Sequence, residues 1–300
     1  MTSRRLRHLF ACVLAFAGAA AAQTQDFSRV EIKAEQLSPT TWMLTGSGGN
    51  LALSAGEDAA FLVDDQFAPL TTRIEAAVAK VTGKPIRFVV NTHWHFDHTG
   101  GNENLGKAGA LIVAHENVRK RMSTEQFIEF LNMKVKTEPR TALPVVTFTR
   151  DVTFHLNGDE IEIFHVPNAH TDGDSIVHFR KSDVVHMGDV VFNGMYPFID
   201  ASSGGSVEGV IAAVDRVLAV ATARTKIIPG HGPLASRADL LALREMLATV
   251  YPRIRDAARA GKGLEDVQAL KPTAEFDAAW GKGFISGPRF VEMIYKSLAK

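Results

Sequence analysis

The stretch Ile86–Gly101, "IRFVVNTHWHFDHTGG", runs from an apolar, strand-like segment into a loop with three histidines and an aspartate in six positions. Hydrogen bonding alone does not call for such crowding, whereas a cation does. Neutral imidazole and carboxylate ligate zinc, and also iron and manganese when no thiolate competes. His93 and His95 flank Trp94 and can converge on one cation. Asp97 and His98 are adjacent and can hold a second about 3.5–4 Å away, the separation of two-metal sites. Four groups cannot saturate two metals, so other loops beside strand ends must supply the rest. Three candidates meet that requirement: His170 in "PNAHTDGD", Asp189 in "HMGDVVF" and His231 in "IIPGHGPL".

Outward from this loop, "VEIKA", "TWMLT", "NLALSA" and "AAFLVDD", separated by Pro39, "GSGG" and "GED", predict hairpin-connected strands. Leu70, Ile74, Ala77, Val78 and Val81 fall at helical spacing, and Gly83 with Pro85 ends that helix before the motif strand. "GALIVA" predicts the next strand. "HENVRKRM" begins a helical stretch leading into "TEQFIEFLNMKVKTEPRTALP", where the helical spacing of "FIEFLNM" suits a lid over the site or burial against the sheets. Strands return at "VVTFT", "VTFHL", "EIEIFHVP", "SIVHFR" and "DVVHMGDVVF". A helix over Val207–Leu218, the strand "TKIIPG" and a long helix near "RADLLALREMLATV" follow. Each half thus has strands followed by helices that must cover a sheet. That order predicts an α/β fold of four layers, an αββα sandwich, over residues 27–260. Residues 261–300, with Val291, Ile294, Tyr295 and Leu298 on one helical face, read as a helical C-terminal extension packed on that domain.

The opening "MTSRRLRHLFACVLAFAGAAAAQ" has a basic start, an apolar run and an A-x-A site, so residues 1–22 read as a cleaved secretory signal. The run from Leu9 to Ala22 is shorter than the roughly 20 residues of a membrane span, so no membrane anchor is expected after cleavage. Export places the mature chain in a bacterial periplasm. Losing the signal removes Arg4, Arg5 and Arg7 from 33 basic residues against 33 acidic ones, which leaves the chain close to neutral. These totals do not suggest a phosphate-gripping face, and nucleic acid is not an expected partner. Cys12 leaves with the signal, so any metal site must use nitrogen and oxygen.

"HWHFDH" is an H-x-H-x-D-H signature, and with the downstream histidine, aspartate and "GHG" histidine the chain resembles the metallo-β-lactamase superfamily from about Val30 to Leu247. The resemblance implies the αββα sandwich with two divalent metal ions at its edge, zinc first and iron or manganese as alternatives. It assigns His93, His95 and His170 to one metal, Asp97, His98 and His231 to the other, and Asp189 to both. It also implies a metal-held water or hydroxide as nucleophile and Asp97 as the catalytic group that orients it or moves its proton. His155, His165, His178 and His186, in strand patterns, and His115, opening a helix, are expected to be structural. Asp64 and Asp65 are candidate acceptors for a ligand histidine N–H; an ordinary turn or helix N-cap is the competing reading.

A large subgroup of the resistance β-lactamases in this superfamily has cysteine where Asp189 stands, then a lysine for the drug carboxylate where Phe192 stands, and a long flap where "TGSGGNLAL" is short. A bridging aspartate resembles instead the glyoxalase II thioesterases and lactonases, although no basic cluster for glutathione is evident. The expected function is therefore an exported di-metal hydrolase opening an amide, lactam or ester bond of a small molecule, with β-lactams as poor substrates. The alternatives are a glyoxalase II-type thioesterase or lactonase, a mononuclear iron oxygenase resembling persulfide dioxygenase, and a non-catalytic metal-binding protein. Trp94, Asn193, Tyr196 and Phe198 are the expected pocket walls.

Overall fold

The computed structural model describes residues 26–298; the signal over residues 1–22 and Cys12 lie outside them. In chain order, β1 (Lys33–Gln36), β2 (Thr41–Thr45), β3 (Leu51–Ala55) and β4 (Ala60–Val63) form an antiparallel meander. Helix α1 (Thr71–Val81) crosses over to β5 (Ile86–Asn91), which lies parallel to β4. The short helices α2 (Phe96–Thr99) and α3 (Asn102–Lys107) lead to β6 (Leu111–His115), parallel to β5. After α4 (Glu116–Met122) comes a small hairpin of β7 (Gln126–Ile128) and β8 (Met133–Val135). Strand β9 (Val146–Phe148) then completes a seven-stranded sheet in the order 1-2-3-4-5-6-9.

The second sheet has five strands in sequential order: β10 (Asp151–Leu156), β11 (Asp159–His165), β12 (Ser175–Phe179), β13 (Val184–His186) and β14 (Lys226–Ile228). Its last pair is parallel, joined through α5 (Val207–Leu218). The chain ends in α6 (Arg237–Arg259), α7 (Leu264–Ala269), α8 (Asp277–Trp280) and α9 (Gly287–Ser297), with α6, α7 and α9 in mutual contact. No helix among the described residues is long and apolar enough to cross a membrane.

Strand alternation builds the layers, because successive side chains leave opposite faces of a sheet. In the first sheet Phe61, Val63, Val90 and Val113 meet Ile161, Ile163, Val177 and Phe179 of the second. The intervening Leu62, Val89 and Ile112 point outward, onto Ile74 and Val78 of α1 and Leu105 of α3. On the far side Ile176, Val185 and Ile227 pack against the helices through Val210, Val214, Leu243 and Leu247. The result is the expected four-layer αββα sandwich with a C-terminal helical region.

Two local expectations change. "FIEFLNM" is not helical: Asn132 adopts a left-handed conformation (φ 51°) after a 3₁₀ turn over Glu129–Leu131, and that reversal pairs β7 with β8. The apolar positions that mimic a helical face belong to the hairpin, with Ile128 buried and Phe127 and Leu131 exposed. Helix α6 also runs on through Pro252, a residue that costs an interior helix about 3 kcal/mol. Buried Val250, Tyr251, Ile254 and Ala257 offset this cost by keeping that helix on the core.

Candidate metal centre

Four loops reach one edge of the sandwich: those after β5, β11, β13 and β14, carrying His93–His98, His170, Asp189 and His231 respectively. They form two adjoining groups, His93, His95, His170 and Asp189 in one and Asp97, His98 and His231 in the other. Within each group, candidate ligand atoms lie within 4.8 Å of one another.

Hydrogen bonds on the outer ring nitrogens decide which nitrogen faces inward. His98 Nδ1 lies 2.8 Å from Asp64 Oδ2, His95 Nε2 lies 3.1 Å from Asp200 Oδ2, and His170 Nδ1 donates to the Phe198 carbonyl at 2.7 Å. Thr92 Oγ1 donates to Asp64 Oδ2 at 2.8 Å and so accepts from His93 Nδ1 at 3.0 Å. Carboxylate and carbonyl oxygens only accept, so the protons sit on these outer nitrogens. In their neutral forms, therefore, the lone pairs of His93 Nε2, His95 Nδ1, His98 Nε2 and His170 Nε2 converge.

Asp189 stands between the groups. Its Oδ2 lies 3.8 Å from His93 Nε2 and 3.7 Å from His170 Nε2, while its Oδ1 lies 3.0 Å from His98 Nε2 and 3.4 Å from His231 Nε2. His170 Nε2 and His95 Nδ1 are 2.9 Å apart, and Asp97 Oδ2 is 3.2 Å from His231 Nε2. Donors arranged tetrahedrally at zinc distances are roughly 3.3 Å apart, so these spacings fit a cation in each group. His93 Nε2 is buried without a hydrogen-bond partner, as a ligand atom would be. Two glycines make room for this convergence. A Cβ on Gly230 would fall 2.0 Å from Asp189 Oδ1, and one on Gly49 would fall 2.1 Å from His98 Cε1.

The electrostatics separate the groups. Burial, reinforced by neighbouring imidazoles, pushes His93 well below its ordinary value; burial also takes His170 down to about 4, keeping both neutral. Burial opposes charge on His98 and His231 too, but nearby carboxylates overcome it. Asp189, Asp97 and Asp64 hold His98 well above its usual range, and Asp189 with Asp97 raises His231 to about 9. Both pKa values are raised in the fold. These protons thus stabilise it most below the ordinary histidine pKa of about 6.5, and the stabilisation fades as pH rises through the raised values. A cation entering this group must displace them. We expect zinc titrated into metal-free protein at pH 7.5 to release at least one proton per chain, and its affinity to rise with pH up to about 9. Calorimetry in buffers of different ionisation enthalpy reads this directly; no proton release would mean both imidazoles are already neutral.

The centre opens into a cleft of about 310 Å³. Its floor is His95, Asp97, Asp189 and His231, and its walls are Phe67, Phe96, Ile128, Leu131, Phe192, Met195, Phe198, Phe284 and Gly232. Asp97 and His231 are the partly exposed candidate ligands, at 19% and 24% of their side chains, so the cleft meets the centre at the second group.

Of the expected walls, only Phe198 lines the cleft, with its ring nearly parallel to His95. Trp94 is buried in the core beside His95, because the loop turns it opposite to its histidine neighbours. Asn193 is spent on the Pro233 carbonyl at 3.1 Å, fixing the loop that carries His231. Tyr196 is wholly buried, stacks on Phe290 at 4.5 Å and donates to Asp277 Oδ1 at 2.8 Å, tying its loop to the C-terminal helices. Asp64 does hold a candidate ligand histidine, His98. Asp65 does not; it accepts from Gly101 N at 2.8 Å and ties the segment after β4 to the start of α3.

His115, His155, His165, His178 and His186 belong to neither group of candidate ligands. His115 caps α4 and stacks on His165 at 3.7 Å, and His186 Nε2 donates to the Asn50 carbonyl at 2.9 Å. Asp200 was not anticipated. It lies 30 residues beyond His170 in sequence, in "PFIDASSGG", and only its two serines hinted at a folded carboxylate. Ser203 Oγ donates to its Oδ2 at 2.6 Å and Ser202 N to its Oδ1 at 3.0 Å, aiming it at His95.

Two facing sheets, helices outside, and a His/Asp cluster at the edge where the strands end define a metallo-hydrolase sandwich. Residues 44–231 match the model of the metallo-β-lactamase superfamily, and the chain belongs to it as a metal-dependent hydrolase. It is 23% identical over 206 residues to the acyl-coenzyme A thioesterase MBLAC2 of Bos taurus, covering 63% of this chain and 71% of that one. It is 29% identical over 115 residues to the hydroxyacylglutathione hydrolase of Erythrobacter litoralis (strain HTCC2594), covering 38% of each. Among solved structures it resembles the metallo-β-lactamase from Pontibacter korlensis, with a TM-score of 0.60 at 20% identity, covering 73% of this chain and 99% of that one. At that identity the likeness speaks for the fold.

Proposed function

We propose that the chain is a binuclear zinc hydrolase that cleaves an ester, thioester, lactone or lactam of a small molecule after export to the periplasm. The observation that carries this reading is Asp189, whose two oxygens face the two ligand groups separately. Two bound divalent cations would supply Lewis acidity at the scissile carbonyl and lower the pKa of the attacking water.

The chain's own residues do the rest. Asp97, the carboxylate exposed to the cleft, holds or moves the proton of the attacking water while remaining within reach of the second group. The Phe192 ring lies against His231 at 4.9 Å and the Phe198 ring against His95 at 5.8 Å; both keep the imidazoles from turning and exclude bulk water from the carbonyl. The relatives support acyl-bond cleavage through their names, a thioesterase and a hydroxyacylglutathione hydrolase.

Phe192 offers no charge to a drug carboxylate, and no lysine or arginine lines the cleft among the described residues. A panel of an aryl ester, a lactone, a thioester and a chromogenic cephalosporin, run with enzyme of measured metal content, tests the proposal. We expect two zinc ions per chain, with the ester or thioester cleaved at least about a hundredfold more efficiently than the cephalosporin, the scale of one missing charged contact. One iron per chain with oxygen consumption would overturn it.

A further inference from the structure

The cleft has two apolar jaws that come from outside the ligand loops. Leu131, 42% exposed, sits at the tip of the β7–β8 hairpin, and Phe284, 59% exposed, sits on the segment between α8 and α9. Exposed singly, such residues would be ordinary, but here they are continuous with the apolar wall of a cleft, and a contiguous exposed apolar surface of that kind marks a binding site. Phe284 stands 6.2 Å from Phe192 and 6.4 Å from Phe198, so it continues the aromatic wall outward from the centre.

Both jaws are braced. Gly283 lies directly over Met195, where an added Cβ would come within 2.7 Å of the methionine Cβ. Tyr196 N donates to the Trp280 carbonyl at 2.9 Å. Across the cleft, Arg289 of α9 lies 4.3 Å over the Phe130 ring and donates to the Phe130 carbonyl at 3.0 Å, bearing on the hairpin tip beside Leu131. The C-terminal segment thus supplies one jaw and steadies the other. It lies beyond residue 231, where the family match ends.

We propose that the site takes neutral acyl substrates with an apolar group on the carbonyl carbon, and that Leu131 and Phe284 set its preference for acyl length. This rests on the hydrolase reading above and adds the substrate class to it. Among the described residues, the charged side chains lining the cleft are all candidate ligands of the centre, so an anionic acyl group would be desolvated without a partner. An apolar one is sandwiched by aromatic rings. A cleft of about 310 Å³ is at the small end of ligand sites, which suits a short to medium chain.

Zinc-loaded enzyme is assayed with 4-nitrophenyl acetate, hexanoate and octanoate, and with the mono-4-nitrophenyl ester of adipic acid. Each buried methylene is worth about fourfold. The kcat/KM should rise at least about tenfold from acetate to hexanoate, and the charged adipate ester should fall below hexanoate by a similar factor. Phe284→Ser and Leu131→Ser should each lower the octanoate-to-acetate ratio several-fold, through KM more than kcat. A flat chain-length profile, or adipate turned over as well as hexanoate, overturns the proposal.

Binding is read separately by calorimetry of octanamide and acetamide with the zinc-loaded protein. Octanamide binding that weakens in Phe284→Ser supports the apolar pocket even if no ester is cleaved, a result that would count against the hydrolase reading alone. Equal, weak binding of both amides overturns the pocket whatever the turnover.

Discussion

Replacing Asp189 by alanine should leave a folded protein that holds less than one metal per chain and turns over esters at least about a thousandfold more slowly. The expectation follows from position. The carboxylate is 4% exposed, and each oxygen serves a different group, so its loss removes a ligand from both. It also removes a negative charge that would offset bound cations. Burial alone would raise the Asp189 carboxyl, yet His98, His231 and His93 hold it well below its ordinary range, so the site is already arranged around that anion. Metal analysis on the purified variant, beside a melting curve to establish folding, decides the matter. Full occupancy of both sites would remove Asp189 from the bridging role.

Asp64→Ala should have the next largest effect, and on stability as well as on metal. Asp64 is fully buried and receives Thr92 N at 2.8 Å, Thr92 Oγ1 at 2.8 Å and His98 Nδ1 at 2.8 Å. One side chain therefore shapes the start of the motif loop and sets the tautomer of a ligand. Removing it strands three buried donors, at a cost of about 3–5 kcal/mol to the fold. Affinity for the second metal should fall roughly 10- to 100-fold, as when other acceptors behind a ligand histidine are removed. Denaturant unfolding and competitive zinc titration measure the two losses. Asp64→Asn, which keeps an acceptor for Thr92 N, should recover part of the stability and less of the affinity. A variant as stable and as metal-avid as the parent would show that His98 needs no support from Asp64.

Much of the sandwich and the loop chemistry could be read in advance because both are short-range. The continuous apolar runs in "AAFLVDD" and "IRFVV" record strands covered on both faces, by a helix on one and by the other sheet on the other. "HWHFDH" places four ligand candidates within one turn of loop. The misjudged residues depend on partners far along the chain. Tyr196 reads as a cleft aromatic until Asp277 and Phe290 arrive from 81 and 94 residues away. Asp200 gains its meaning from His95, 105 residues earlier. The apolar spacing of "FIEFLNM" fits helix and hairpin alike, and the single left-handed Asn132 decides between them.

The proposed ligands are divided between the two sheets. His93, His95, Asp97 and His98 follow a strand of the seven-stranded sheet, whereas His170, Asp189 and His231 follow strands of the five-stranded one. Cations held between them would rivet the halves of the sandwich together at this rim, so a chelator would loosen the seam of the molecule as well as silence it.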